Sequence, residues 1–164
     1  QAAEKELKFG HVGKPGSLLE FSVNDFAKRA NAALAGKGYK VVGHGSSQLG
    51  NDKELLKKLK SGAITFSLPS SVMSSVSGSF AIFDMPYMIK NREHVKKLLK
   101  PIIWKKLNKV IKRKQYEIIG IWENGFRHFT NDKHPINTPA DLKGTKSQEK
   151  TLAQIKQQGE LPCY

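Results

Sequence analysis

Segments with the period of a strand alternate with segments that carry helical caps and stripes, and that order restricts the chain to a layered α/β fold. Residues 7–12 alternate as a first strand and run into Gly13-Lys14-Pro15-Gly16, three turn formers in four positions. Ser17 followed by Glu20 reads as a capping box, and Leu19, Val23, Phe26, Ala27, Ala30 and Leu34 recur on one helical face until Gly36 and Gly38. A second strand is predicted over 39–42, and 43–50 reads as a flexible loop. Asn51 with Glu54 caps the next helix, whose buried stripe is Leu55, Leu56 and Leu59. Ile64, Phe66 and Leu68 alternate with polar residues as a third strand, which Pro69 breaks into the run Ser70-Ser71-Val72-Met73-Ser74-Ser75. Asn91 caps a helix carrying Val95, Leu98 and Leu99. Pro101 then begins another, on Ile103, Leu107, Val110 and Ile111. Residues 116–122 read as a nearly continuous apolar strand, of the kind buried on both sides of a parallel sheet. A doubly wound α/β lobe is the architecture these signals agree on.

Glycines and small polar residues cluster where such strands hand over to loops, above all in residues 46–64 and 123–144. Those are the places where an open sheet collects a ligand. The net charge of +14, from 28 basic and 14 acidic residues, raises nucleic acid as an alternative partner. The basic residues fall instead on outer helix faces, as Lys96, Lys97, Lys100, Lys105, Lys106, Lys109, Lys112, Arg113 and Lys114, without interleaved exposed aromatics. A solvated face is the simpler reading, and no nucleic acid is expected to bind.

Nothing in the motifs supports an enzyme. The five histidines have no zinc spacing, Gly43-His44-Gly45 begins no phosphate loop, and the carboxylates are scattered. No catalytic residue, metal or cofactor is expected. The single cysteine, Cys163, offers no disulfide framework, which suits a periplasmic protein as well as a cytosolic one. Residues 1–5 lack an apolar signal core, and a first residue other than methionine suggests a processed product.

Polar side chains at strand ends remain as ligand candidates. Arg127 follows Asn124-Gly125-Phe126, and its guanidinium either meets a carboxylate in two-point geometry or ties two lobes together through backbone carbonyls. Ser70 and Ser71 donate either to a ligand or to local backbone. His11 is a ligand donor or a buried structural histidine.

Taken in order, Lys8-Phe9-Gly10-His11-Val12, the run Ser46 to Ile64, Ala81 to Val95, Glu-Asn-Gly-Phe-Arg-His-Phe-Thr-Asn at 123–131 and Thr-Pro-Ala-Asp-Leu-Lys-Gly at 138–144 resemble the solute-binding proteins of TRAP transporters, the DctP-like family. The resemblance implies a periplasmic binding protein of type II, with a mostly parallel sheet in its first lobe, that closes on a small organic acid anion. The acid is then delivered to the TRAP membrane permease subunits. It implies that residues 1–124 form an N-terminal α/β lobe and that 125–164 form a crossover segment and the start of a second lobe, most of which lies outside the chain. It further implies that Arg127 contacts the ligand carboxylate and that Ser70 lies in the pocket. Val12 stands where members often carry Asn or Glu. At Gly144-Thr145-Lys146-Ser147-Gln148 the chain departs from the family, which places an arginine ligand there.

Overall fold

A computed structural model of the chain describes residues 4–85, 88–123 and 133–143. The chain divides into two compact units, Gln1–Asn124 and Gly125–Tyr164. The first is built on three parallel strands, β1 (Lys5–Gly10), β2 (Tyr39–His44) and β3 (Phe66–Ser67), in the order β2-β1-β3. Helix α1 (Leu18–Leu34) connects β1 to β2, and α2 (Asp52–Lys60) connects β2 to β3. The chain thus moves outward to one side of β1 and then crosses to the other. With right-handed crossovers this puts α1 and α2 on opposite faces of the sheet.

Side-chain size on β1 matches that arrangement. Phe9 is 1% exposed and packs with Val23 and Val41 beneath α1, with Phe26, Ala27, Ala30 and Leu34 around them. Gly10, the next residue, faces the other way, and a Cβ there would stand 2.5 Å from Leu55 Cδ2 of α2. Successive side chains alternate faces, and the missing side chain at Gly10 is what lets Leu55 of α2 approach the strand this closely.

Caps form where the sequence places them. Ser17 Oγ accepts the Glu20 N–H at 3.3 Å, although the Glu20 carboxylate takes the Gly16 N–H at 2.7 Å instead of the cap residue's own. Asn51 and Glu54 form a complete reciprocal box at the start of α2. Gly36 and Gly38 leave α1 with φ of 72° and 75°, a region open to glycine at little steric cost.

Beyond β3 the chain is helical: α3 (Met73–Val76), a 3-10 turn (Gly78–Phe83), α4 (Arg92–Leu98), a π-helical stretch (Leu99–Leu107) and α5 (Asn108–Lys112). Asn91 Oδ1 caps α4 through the His94 N–H. No new helix begins at Pro101, contrary to the sequence expectation. The chain runs through it with a widened turn, consistent with a proline that has no N–H to place in an i→i−4 ladder. Phe80, Ile103, Leu107 and Ile111 form the core of this layer, and the Tyr116 hydroxyl donates to the Leu56 carbonyl of α2 at 3.0 Å.

The fourth strand expected over 116–122 is absent. Tyr116 and Ile118 pack into the helical layer, but Ile119, Ile121 and Trp122 are 60%, 39% and 37% exposed. The reason lies in pairing. Apolar strand character needs a ladder partner to become a strand, and β3 engages β1 over only two residues. Trp122 instead stacks on Phe9, with ring centroids 5.9 Å apart.

In the second unit the described part is a 3-10 turn (Pro139–Leu142), where Asp141 Oδ2 accepts the Asn137 and Thr138 N–H groups at 3.0 and 2.7 Å.

Among the described residues β2 is an edge strand, and α1 covers part of that edge. Asn31 Nδ2 donates to the Val41 carbonyl at 3.0 Å, and its Oδ1 accepts the Val41 N–H at 2.7 Å. The amide therefore stands in for the missing neighbour strand at a residue only 3% exposed. Asn31→Ala should lower unfolding stability by about 1–3 kcal/mol, since it orphans both groups. A urea titration with an unchanged midpoint would show that water replaces the amide.

Candidate functional site

Because all three strands are parallel, their carboxyl ends share one edge, and strand order reverses beside β1. Ligands of open α/β sheets gather at such a reversal. The loops that meet there are 11–17 after β1, 45–51 after β2 and 68–75 after β3. The segment 124–127, expected to join them, lies outside the described residues, as does Arg127.

His11 sits at the end of β1 and is 2% exposed. Its Nδ1 accepts the Gly13 N–H at 3.2 Å, which leaves the proton of the neutral ring on Nε2. Gly45 lies directly against the ring: a Cβ there would be 2.8 Å from Cε1 and 3.0 Å from Nε2. Its backbone knits the two loops, with His11 N–H donating to the His44 carbonyl (3.0 Å) and Ser47 N–H to the His11 carbonyl (3.3 Å). Burial lowers the His11 pKa, an effect that nearby Glu20 partly opposes. This surrounding is that of a structural histidine which fixes the neighbouring loops. Val12 beside it is half-buried.

The loop after β2, expected to be flexible, is pinned. Ser46 and Ser47 both adopt the left-handed region, with φ of 51° and 57°, and Ser46 N–H donates to the Gly13 carbonyl at 2.8 Å. Two consecutive non-glycine residues there carry conformational strain that the hydrogen bonds must offset.

Ser70 and Ser71 lie exposed just beyond β3, and both of their carbonyls accept backbone N–H groups from the turn into α3. Asp52, in the first turn of α2, is not among the candidates that the sequence offers. Its Oδ1 is buried and unpartnered among the described residues, as is Ser67 Oγ at the end of β3. Burial pushes the Asp52 carboxyl above its usual range, and a hydrogen bond from the Ser70 side chain moderates the shift. The exposed Ser70 and Ser71 hydroxyls give this edge groups able to meet a ligand's polar atoms, whereas Asp52 Oδ1 and Ser67 Oγ lie buried beneath it. Among the described residues no three His, Cys, Asp or Glu side chains are placed to hold a metal. A shallow depression lined by Ser22, Asp25, Phe26, Arg29 and Trp122 contains none of these groups, and its Arg29 is paired with Asp25 at 3.0 Å.

Residues 9–158 match the model of bacterial extracellular solute-binding protein, family 7. The C4-dicarboxylate-binding protein DctB of Bacillus subtilis is 32% identical over 139 residues, which are 84% of this chain and 39% of DctB. The 2,3-diketo-L-gulonate-binding periplasmic protein YiaO of Escherichia coli is 31% identical over 88% of this chain and 44% of its own. A TRAP periplasmic solute-binding protein of Sulfurospirillum deleyianum, solved with bound succinate, superposes with a TM-score of 0.80 at 30% identity, covering 98% of this chain and 53% of that one. The chain therefore spans about half the length of these proteins or less. The matches support solute binding and lend nothing to the nucleic-acid alternative.

Two pH dependences follow from the site. A base whose folded pKa lies below 6.5 costs nothing above that pH and destabilises the fold as pH falls through the interval between the two values. His11→Asn keeps an acceptor for the Gly13 N–H, so its stability relative to wild type should improve on acidification from pH 7 towards pH 5. A constant difference between the two proteins would remove His11 from the titration. Asp52 works in the opposite sense, because its raised folded pKa makes the ionised form the costly one. Asp52→Asn should gain in melting temperature over wild type at pH 7, and the gain should fade towards pH 3.8. A loss at pH 7 would mean that attraction of the carboxylate to the α2 N-terminus outweighs its burial.

Proposed function

The chain belongs to bacterial extracellular solute-binding protein family 7, a family of binding proteins rather than enzymes, and we propose that it is the ligand-capturing part of a periplasmic TRAP solute-binding protein for a small organic acid anion. The observation that supports this reading is the strand reversal, where the exposed Ser70 and Ser71 follow β3 on the edge that the loop fixed by His11 shares. Relatives named for C4-dicarboxylate and diketo-gulonate binding, and one solved with succinate, fit the same chemistry. Gln1–Asn124 is taken as the first lobe, and residues 125–164 as the crossover and the start of a second.

In this reading Arg127 pairs with the ligand carboxylate, Ser70 and Ser71 hydrogen-bond its polar groups, and His11 and Val12 shape the first-strand side of the pocket. The protein binds without turnover and hands the acid to TRAP permease subunits at the membrane. Periplasmic placement is supported by YiaO and the Sulfurospirillum deleyianum protein, both periplasmic binding proteins. Among the described residues no helix is long and apolar enough to cross a membrane.

Thermal-shift screening of the full-length protein against succinate, galactonate and gulonate should single out an acid that raises the melting temperature, since a ligand that binds only the native state stabilises it. Calorimetry with that acid should then show Arg127→Ala weakened by about 2–5 kcal/mol, because a desolvated anion loses its partner. Arg127→Lys should recover part of the loss, keeping the charge without the planar fork. Binding of the alanine variant within about threefold of wild type, under 1 kcal/mol, would make Arg127 a tie between lobes.

A further inference from the structure

From Arg92 to Lys114 the chain carries ten basic side chains and a single acidic one, Glu93. Three of the ten are paired: Lys96 with Glu93 at 2.7 Å, Lys112 with Glu117 at 2.7 Å, and Arg92 with Glu123 at 2.8 Å. Lys97, Lys105, Lys106, Lys109, Arg113 and Lys114 are exposed. None of them is paired with a carboxylate among the described residues. The opposite side of the same helices is locked into the core through Ile103, Leu107 and Ile111, at 0%, 2% and 0% exposure. The basic face is therefore held in one orientation by packing. Beside Lys105 projects Trp104, 40% exposed. An indole left partly in water among lysines has the amphipathic character of side chains that settle at the headgroup level of a bilayer.

We propose that the outer face of the Leu99–Leu107 and Asn108–Lys112 helices, carrying Trp104, Lys105, Lys106 and Lys109, docks on an anionic phospholipid surface. Charge complementarity selects the partner. Lysines near an anionic bilayer each raise partitioning by about fivefold, and flexible, strongly hydrated ammonium groups suit a fluid array of phosphates better than a fixed acceptor geometry. A face for single-stranded nucleic acid would interleave several stacking aromatics, where this one carries the indole of Trp104 alone. The face draws on none of the strand-end loops, so docking leaves the ligand edge untouched. Its effect is to hold the protein near a bilayer and shorten the search for a membrane partner to two dimensions.

The test is flotation of the full-length protein with vesicles of phosphatidylglycerol and phosphatidylcholine, against phosphatidylcholine alone, at low and high salt. Partitioning should require the anionic lipid and weaken with salt. Lys105→Glu with Lys109→Glu should reduce it about tenfold or more, while the thermal shift with the organic acid stays unchanged. The part of the tryptophan emission that Trp104→Phe removes should move to the blue on anionic vesicles only. Absence of lipid-dependent partitioning, insensitivity to the charge reversal, or stronger retention on random duplex DNA than on vesicles would each overturn the proposal.

Discussion

Phe9 and Gly10, neighbours on the central strand, set what the rest of the first unit can do. Phe9 meets Phe26 of α1 edge-on at 5.4 Å, Phe66 of β3 at 5.7 Å and Trp122 at 5.9 Å, so one ring joins the sheet to a helix and to the segment after α5. On the reverse side Gly10 withdraws, and α2 approaches until Leu55 is fully buried. A large residue at position 10 would push α2 outward. With it would move Asp52, the first residue of that helix, and the polar edge it shares with Ser70.

The site edge is a product of this packing. Parallel strands deliver their loops to one side, but it is the His11 ring, seated against Gly45 and the Gly13 N–H, that brings two of them into contact. The strain in Ser46 and Ser47 belongs to the same arrangement: both residues are held by backbone bonds to the loop that His11 organises. The loops after β1 and β2 are thereby fixed in advance, and in the proposed reading such preorganisation lowers the ordering cost of binding.

Local signals were read well from sequence, and distant ones were not. The caps at Ser17, Asn51 and Asn91 depend on residues two or three positions away, so the pattern in the chain is the interaction itself. The amide of Asn31 bonds a residue ten positions on, across a strand edge, and no periodicity announces it. Asp52 is no candidate in the sequence because its burial and its Ser70 partner exist only once the fold brings β3 near. The run 116–122 was misread for a related reason. Its composition describes what the residues favour, whereas a strand also needs a partner, and none pairs with it among the described residues. Arg127 owes its candidacy to the turn at Gly125 and to family resemblance, and it lies outside the described residues.

That unpaired run has a consequence for handling the protein. Tyr-Glu-Ile-Ile-Gly-Ile-Trp has high strand propensity, one charge and no proline, and Ile119 and Ile121 stand in solvent with the backbone free of a ladder. Such a stretch is a template for another copy of itself. Where no partner strand covers residues 116–122, self-association through them is the expected risk, and Ile119→Lys would act as a gatekeeper against it.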